Sequence, residues 1–260
     1  MIALCMSVVF AADWVPVPGA HVALVDLPSA PYPVDGGAWT DASVLIAVPD
    51  GLSRRGPLDV VTHLHGFEGV VEELVPSFRL IEQHVASGVD AVLVVPQGPY
   101  RARSGDFGKL MRPGGHAALV ADVAREVRDG GFVDEVGVGL QVVTVHSGGY
   151  RCAARLIEQG GLPIHAVHLF DALYGDVEVF AGFVRGGGRL VSLHTPGGRT
   201  GGNNATLRAQ IEGEGSSLDD ATLASRAAIV AASDLSHGGC LYERRDYERW
   251  LRFSGLPLRR

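Results

Sequence analysis

The chain has 260 residues, 47% hydrophobic and 20% charged, long enough for one large domain with a well-buried core. Its formal net charge is -7 with acidic and basic residues intermixed, so it carries no basic stripe of the kind that holds nucleic acid. Aromatic residues make up 7% and form no tandem pattern suited to stacking bases or sugars.

The first feature in chain order is an uncharged apolar run, Ile2 to Ala12, ending in small residues before Asp13 and Trp14. It resembles the apolar segment and cleavage site of a secretory signal peptide without the usual basic start, and a buried first strand is the alternative. It is too short to cross a bilayer as a helix, which takes about 20 apolar residues. Residues 1–12 are therefore expected to be a signal segment and 13–260 a single domain, exported to the periplasm or the medium, with a cytoplasmic protein as the alternative. Loss of Cys5 with that segment leaves Cys152 and Cys240, either as one disulfide or as two buried thiols.

Eight short runs rich in Val, Ile and Leu read as strands: Val22–Leu27, Ser43–Val48, Asp59–Leu64, Ala91–Val95, Gln141–Val145, Ala166–Phe170, Arg189–His194 and Ala228–Ala232. The middle ones are almost continuously apolar, as strands buried on both faces are, and such strands belong to parallel sheets covered by helices. The first two are more mixed and fit an edge hairpin. Apolar residues at helical spacing predict helices over Glu72–Ala86, His116–Val127, Tyr150–Glu158, Val177–Val184, Ala205–Ile211 and Asp246–Phe253. Strands alternating with helices predict an α/β fold with a doubly wound, mostly parallel eight-stranded sheet and helices on both faces. The stretch Gly197–Gly202 is expected to be a surface loop.

Three segments carry chemistry. Ser147, in Val145-His146-Ser147-Gly148-Gly149, ends a buried strand and is followed at once by a helix. A serine hydroxyl needs exposure and an adjacent base to act as a nucleophile. A tight strand-to-helix turn exposes it, and the helix start offers N–H groups to a developing oxyanion. The second segment, His63-Leu64-His65-Gly66-Phe67-Glu68-Gly69, closes the third predicted strand. Residues two apart on a strand share a face, so His63 and His65 could instead form a metal pair, completed by His146, Asp171 or His237. No ligand motif supports that, and a histidine bracing the loop is the preferred reading. The third segment, Ser233 to Gly239, puts His237 between the last strand and the last helix.

The stretch Val145–Gly149 resembles the G-x-S-x-G nucleophile elbow of the α/β-hydrolase superfamily, with Val145 in place of the first glycine. The His-Gly segment resembles that family's oxyanion loop, about 80 residues earlier. The resemblance spans Val22 to Phe253 and implies a serine hydrolase with Ser147 as nucleophile and His237 as general base. Its oxyanion hole would be formed by the backbone N–H groups of Phe67 and Gly148. The family's acid usually follows the seventh strand, but Leu193-His194-Thr195-Pro196-Gly197 has no carboxylate there. Asp171, at the end of the sixth strand, is preferred over Asp176 and Asp234. Only Ala172 to Gly188 separates strands six and seven, so no cap domain is expected over Ser147. Tyr100, Arg101 and Arg103, with the loop after the seventh strand, are candidate rim contacts.

The expected activity is hydrolysis of a carboxylic ester, on a small molecule or a polymer-borne acyl group, through an acyl-enzyme on Ser147. Amide or peptide hydrolysis would use the same residues, and a non-catalytic binding protein on the same fold is the alternative of another class. No cofactor, metal, nucleic acid or stable membrane span is implied, and the sequence does not indicate an oligomeric state.

Overall fold

The computed structural model describes residues 13–135, 137–195, 197–211 and 228–259. The expected signal segment, 1–12, lies outside them. No helix among the described residues is long and apolar enough to cross a membrane.

In chain order the elements are β1 (Val15–Val17), β2 (Ala20–Asp26), β3 (Ser43–Pro49), β4 (Leu58–Leu64), α1 (Val71–Ser77), α2 (Leu80–Ser87), β5 (Val92–Pro96), α3 (Gly115–Asp129), β6 (Val138–His146), α4 (Tyr150–Gln159), β7 (Ala166–Phe170), α5 (Val177–Arg185), β8 (Arg189–His194), α6 (Gly201–Ile211), β9 (Ala228–Ala232), α7 (Gly239–Tyr242) and α8 (Asp246–Arg252). The strands form one sheet in the order β1-β2-β3-β5-β4-β6-β7-β8-β9. The first three joins are antiparallel, and every join from β5 to β9 is parallel. The sheet thus has nine strands where eight were expected. The extra one is Val15-Pro16-Val17, hydrogen-bonded to β2 at the edge of the sheet, where a proline's missing N–H is tolerated.

Every residue of β4, β5 and β7 is buried, which is why those strands read as mostly apolar runs, broken only by the buried Asp59, Thr62, His63 and His168. Two cores flank the sheet. One packs α3, α4, α5 and α6 through residues such as Leu119, Val123, Leu156, Phe180 and Leu207. The other packs α1, α2, α7 and α8 through Val71, Leu74, Leu80, Leu241 and Trp250. Helices on both faces follow from right-handed crossovers that change direction at the sheet's centre.

The helix expected over 72–86 is two helices. Arg79 stands between them in the left-handed region, at φ 52°, and Pro76 sits in the last turn of α1. Proline has no N–H to continue the ladder, so the chain re-aims there. Helix α6 begins at Gly201, inside the stretch expected to be a surface loop. Thr200 and Asn204 are buried there, with Asn204 accepting a hydrogen bond from Ser192 Oγ at 2.6 Å.

Register places the site. Leu64 pairs with Val145, His146 with Phe170, Phe170 with Leu193, and His194 with Ala232. The carboxyl ends of β4, β6, β7, β8 and β9 therefore finish on one rim. The residues that follow them, from His65, Ser147, Asp171, Thr195 and Ser233 onward, emerge side by side.

Candidate active site

Strand β6 ends at His146, one 3₁₀ turn covers Ser147–Gly149, and α4 starts at Tyr150. Ser147 has φ 52°, a left-handed conformation for a residue with a side chain. Such strain costs about 1–3 kcal/mol and persists only where the surroundings over-determine it. Here they do. Val145, buried below the turn, anchors the strand in the core between Leu64 and Leu169. The neighbouring loop can approach because two glycines leave room. A Cβ on Gly66 would lie 2.8 Å from Ser147 Cβ, and one on Gly149 would lie 2.8 Å from the Leu64 carbonyl oxygen.

The loop after β4 is braced by His65. The Gly98 N–H donates to its Nε2 at 2.9 Å, so Nδ1 carries the proton and donates to the Gly66 carbonyl at 2.7 Å. Burial pushes the His65 imidazole down to about 4, against the pull of the Gly66 bond, so the ring is neutral. The Glu68 N–H donates to the Ala102 carbonyl at 2.8 Å and ties the loop's far side. Phe67 is 46% exposed, and its ring lies across Gly148.

His63 and His65 do not form the metal pair considered from the sequence. His63 bonds Thr144 Oγ1 at 3.0 Å and stands edge-on to Tyr247, in the core of α1, α2, α7 and α8. His65 packs on Phe107, in the other core, with both ring nitrogens committed to backbone. No group of three or more potential ligands gathers anywhere among the described residues.

His237 Nδ1 donates to Asp171 Oδ2 at 2.7 Å. Asp171 has φ 43° and is buried. Its carboxylate also accepts from the Thr195 N–H at 3.2 Å, the Thr195 hydroxyl at 2.9 Å and the Thr200 hydroxyl. Burial alone would raise this carboxyl, but the bonds from His237, Thr200 and Thr195 outweigh it and hold the group well below the usual carboxylate range. The alternative acids are placed elsewhere: Asp234 pairs with Arg244 at 2.6 Å on the surface, and Asp176 stands at the N-cap of α5.

Several contacts had no signature in the sequence. His146, considered there only as a metal ligand, donates from Nε2 to the backbone carbonyl of His237 at 3.0 Å, with the two ring centroids 4.6 Å apart. The Cys240 thiol donates to the same carbonyl at 3.1 Å. Burial, then the neighbouring His237, push the His146 imidazole down to about 4. Cys240 and Cys152 are free thiols in opposite cores, so the bridge considered between them is not formed. The Tyr174 ring stands edge-on to His237, with centroids 6.3 Å apart.

Ser147, His237, Tyr174, Phe67 and Gly148 face one open cavity of about 860 Å³. Arg103 and Arg199 reach it from the two expected rim loops. Arg101 is instead turned to Glu73 and to the Tyr100 ring, 5.5 Å from its centroid.

No protein-family model matches the sequence, and a search of curated proteins finds no match. Solved structures do match. An S-formylglutathione hydrolase from Agrobacterium tumefaciens is 10% identical, with a TM-score of 0.58 over 95% of this chain and 100% of that one. A ferulic acid esterase is 11% identical, with a TM-score of 0.58 over 94% of this chain and 98% of that one. A thermostable carboxylesterase cloned from a metagenomic library is 16% identical, with a TM-score of 0.55 over 94% and 92%. The chain has the α/β-hydrolase fold.

Within that α/β-hydrolase fold, Ser147 stands at the turn between β6 and α4, and His237 in the loop after β9. Thr195 stands just past β8 and donates to Asp171, just past β7. Between β7 and β8 there is only α5 and its flanking turns, with no inserted cap.

Proposed function

We propose that the protein is a serine hydrolase acting on carboxylic esters. Ser147 Oγ attacks the acyl carbon while His237 Nε2 takes the hydroxyl proton. The oxyanion is received by the backbone N–H groups of Phe67 and Gly148, the latter at a helix start where N–H groups lack helical partners. Collapse breaks the bond to the leaving oxygen, which takes the proton from His237 and departs as the alcohol. Water then repeats the sequence on the acyl-enzyme and returns Ser147.

The observation that carries this reading is the 2.7 Å bond from His237 Nδ1 to Asp171, in a cavity shared with Ser147. With Nδ1 protonated and committed, the neutral ring has its basic lone pair on Nε2. Asp171, kept ionised by its other donors, fixes that tautomer and stabilises the imidazolium as it forms. An open cavity suits small acyl substrates and acyl groups that project from a polymer.

A fluorophosphonate probe tests the nucleophile. The wild type is expected to be labelled and Ser147→Ala not, with kcat on a p-nitrophenyl ester reduced about 10⁶-fold in the variant. Labelling that survives the substitution removes Ser147 from the role. A wild type that takes no label and cleaves no ester favours a binding protein on this fold. Comparing a p-nitrophenyl ester with the p-nitroanilide of the same acid separates esterase from amidase, and the ester is expected to be cleaved faster.

A further inference from the structure

The loop after β7 brings a second side chain into the cavity of Ser147. Tyr174 follows Asp171 on the same loop, so the segment that supplies the acid also supplies a phenol. Tyr174 lines the same cavity as Ser147 and His237. Its ring stands edge-on to His237, 6.3 Å between centroids at 81°, and meets Tyr150 at 6.1 Å. The backbone there is tied down, with the Tyr174 N–H donating to the Ala172 carbonyl at 2.8 Å and Asn203 Nδ2 donating to the Leu173 carbonyl at 3.0 Å. Left-handed residues, Asp171 and Asp176, bound the loop on either side.

Geometry limits what that hydroxyl can do. The proposed oxyanion donors, Phe67 and Gly148, belong to the loop after β4 and the start of α4. Tyr174 stands beside His237, edge-on to its ring. A leaving oxygen must depart toward His237, because that ring supplies its proton. A phenol beside that ring is placed to meet the charge that gathers on the leaving group.

We propose that Tyr174 is a catalytic residue that donates a hydrogen bond to the leaving-group oxygen during acylation. The proposal rests on the ester-hydrolase reading of the same site. As Ser147 loses its proton to His237 and its oxygen bonds the acyl carbon, the phenol O–H turns to the oxygen across the breaking bond. The C–O bond breaks with its electron pair on that oxygen, the proton arrives from His237, and Tyr174 keeps its own throughout. Burial and the nearby charge of Asp171 raise the Tyr174 phenol above its ordinary value, so it remains a donor at neutral pH.

The test compares the wild type with Tyr174→Phe on ethyl, trifluoroethyl and p-nitrophenyl esters of one acid. A poor leaving group needs the donor most, so kcat/KM for the ethyl ester is expected to fall about 10²-fold. For the trifluoroethyl ester the loss should be smaller, and for the p-nitrophenyl ester, whose oxygen carries its charge unaided, it should nearly vanish. Fluorophosphonate labelling of Tyr174→Phe at the wild-type rate shows that Ser147 and the fold are intact. An equal loss on all three esters overturns the proposal, since Tyr174 would then act through Ser147. No loss on any ester also overturns it, leaving the ring a packing role. A wild type that is neither labelled nor active on any of the three fails at the level of the ester-hydrolase reading itself.

Discussion

Ser147 and Asp171 end neighbouring parallel strands, and each adopts a left-handed backbone, at φ 52° and 43°. The same device serves opposite ends. At Ser147 it lifts a hydroxyl into an open cavity, and the room comes from Gly66 in the facing loop and Gly149 in the turn itself. At Asp171 it turns a carboxylate inward, where three side chains and one backbone N–H converge on it. A buried charge without such partners would neutralise, so the donors are what keep this one ionised. Strain at a strand end therefore does not by itself mark a nucleophile. What surrounds the side chain decides its role.

The comparison can be broken at the buried turn first. Asp171→Asn keeps the shape but turns an amide toward His237, which favours the wrong tautomer. We expect kcat to fall about 10³–10⁴-fold on the esters above. Stability should change far less, and a thermal melt alongside the kinetics checks this. A melt that collapses while the residual folded enzyme stays active would mean that Asp171 serves the fold rather than the imidazole.

The exposed turn breaks by crowding. Gly66→Ala puts a methyl against Ser147 Cβ, which has no rotamer with which to yield. A displacement of about 1 Å at the nucleophile costs about 10²-fold in rate, and we expect that loss in kcat with secondary structure unchanged by circular dichroism. Full activity in this variant would show that the two loops separate more easily than their contact implies.

A finer probe is Thr200→Val, which removes one donor from Asp171 and leaves Thr195 and His237 in place. A hydrogen bond to a charged group is worth about 1.5–3 kcal/mol, and with the remaining donors compensating we expect about a tenfold loss in kcat. Rescue by Thr200→Ser would tie the effect to the hydroxyl.

The smallest effect concerns buried rings, two of which, His65 and His146, lie beside the Ser147 turn. His65, His84, His116 and His146 are buried, and burial brings each down to about 4 from the ordinary 6.5. Above pH 6.5 neither the folded nor the unfolded chain protonates them. Below it the unfolded chain binds protons that the folded chain refuses, so stability falls as the pH drops from 6.5 toward 4. Melting temperatures should be level above pH 7 and decline steadily between pH 6.5 and 4. A flat profile across that window would mean these rings are less sequestered than their packing indicates.

Much of the frame was legible from residue order alone. Strands buried on both faces, such as β4, β5 and β7, show as mostly apolar runs, and Ser147, Asp171 and His237 follow the strands β6, β7 and β9 that the sequence marks. Where the reading departed from the structure, the local signal was weak or misleading. Three residues around Pro16 give too short a pattern for an edge strand, and the apolar spacing across Pro76 and Arg79 reads as one helix because the kink preserves the buried face. Thr195, Thr200, His146 and Tyr174 stayed invisible as site residues for a different reason. Their partners are fixed by which strands lie next to each other, and a periodicity along the chain does not contain that. Thr195 does carry a retrospective signal, since a hydroxyl at a strand end that lacks the expected acid suggests a donor to an acid next door.

One consequence follows from the backbone carbonyl of His237, which accepts from both His146 and Cys240. His146 is the last residue of a central strand, so the loop bearing His237 is moored to the same stiff member that carries Ser147. Thermal jostling should then displace the two in concert, so that their separation fluctuates less than either position does. Warming should sustain catalysis almost up to the temperature at which the sheet itself gives way, rather than letting it fade early as a slack loop would.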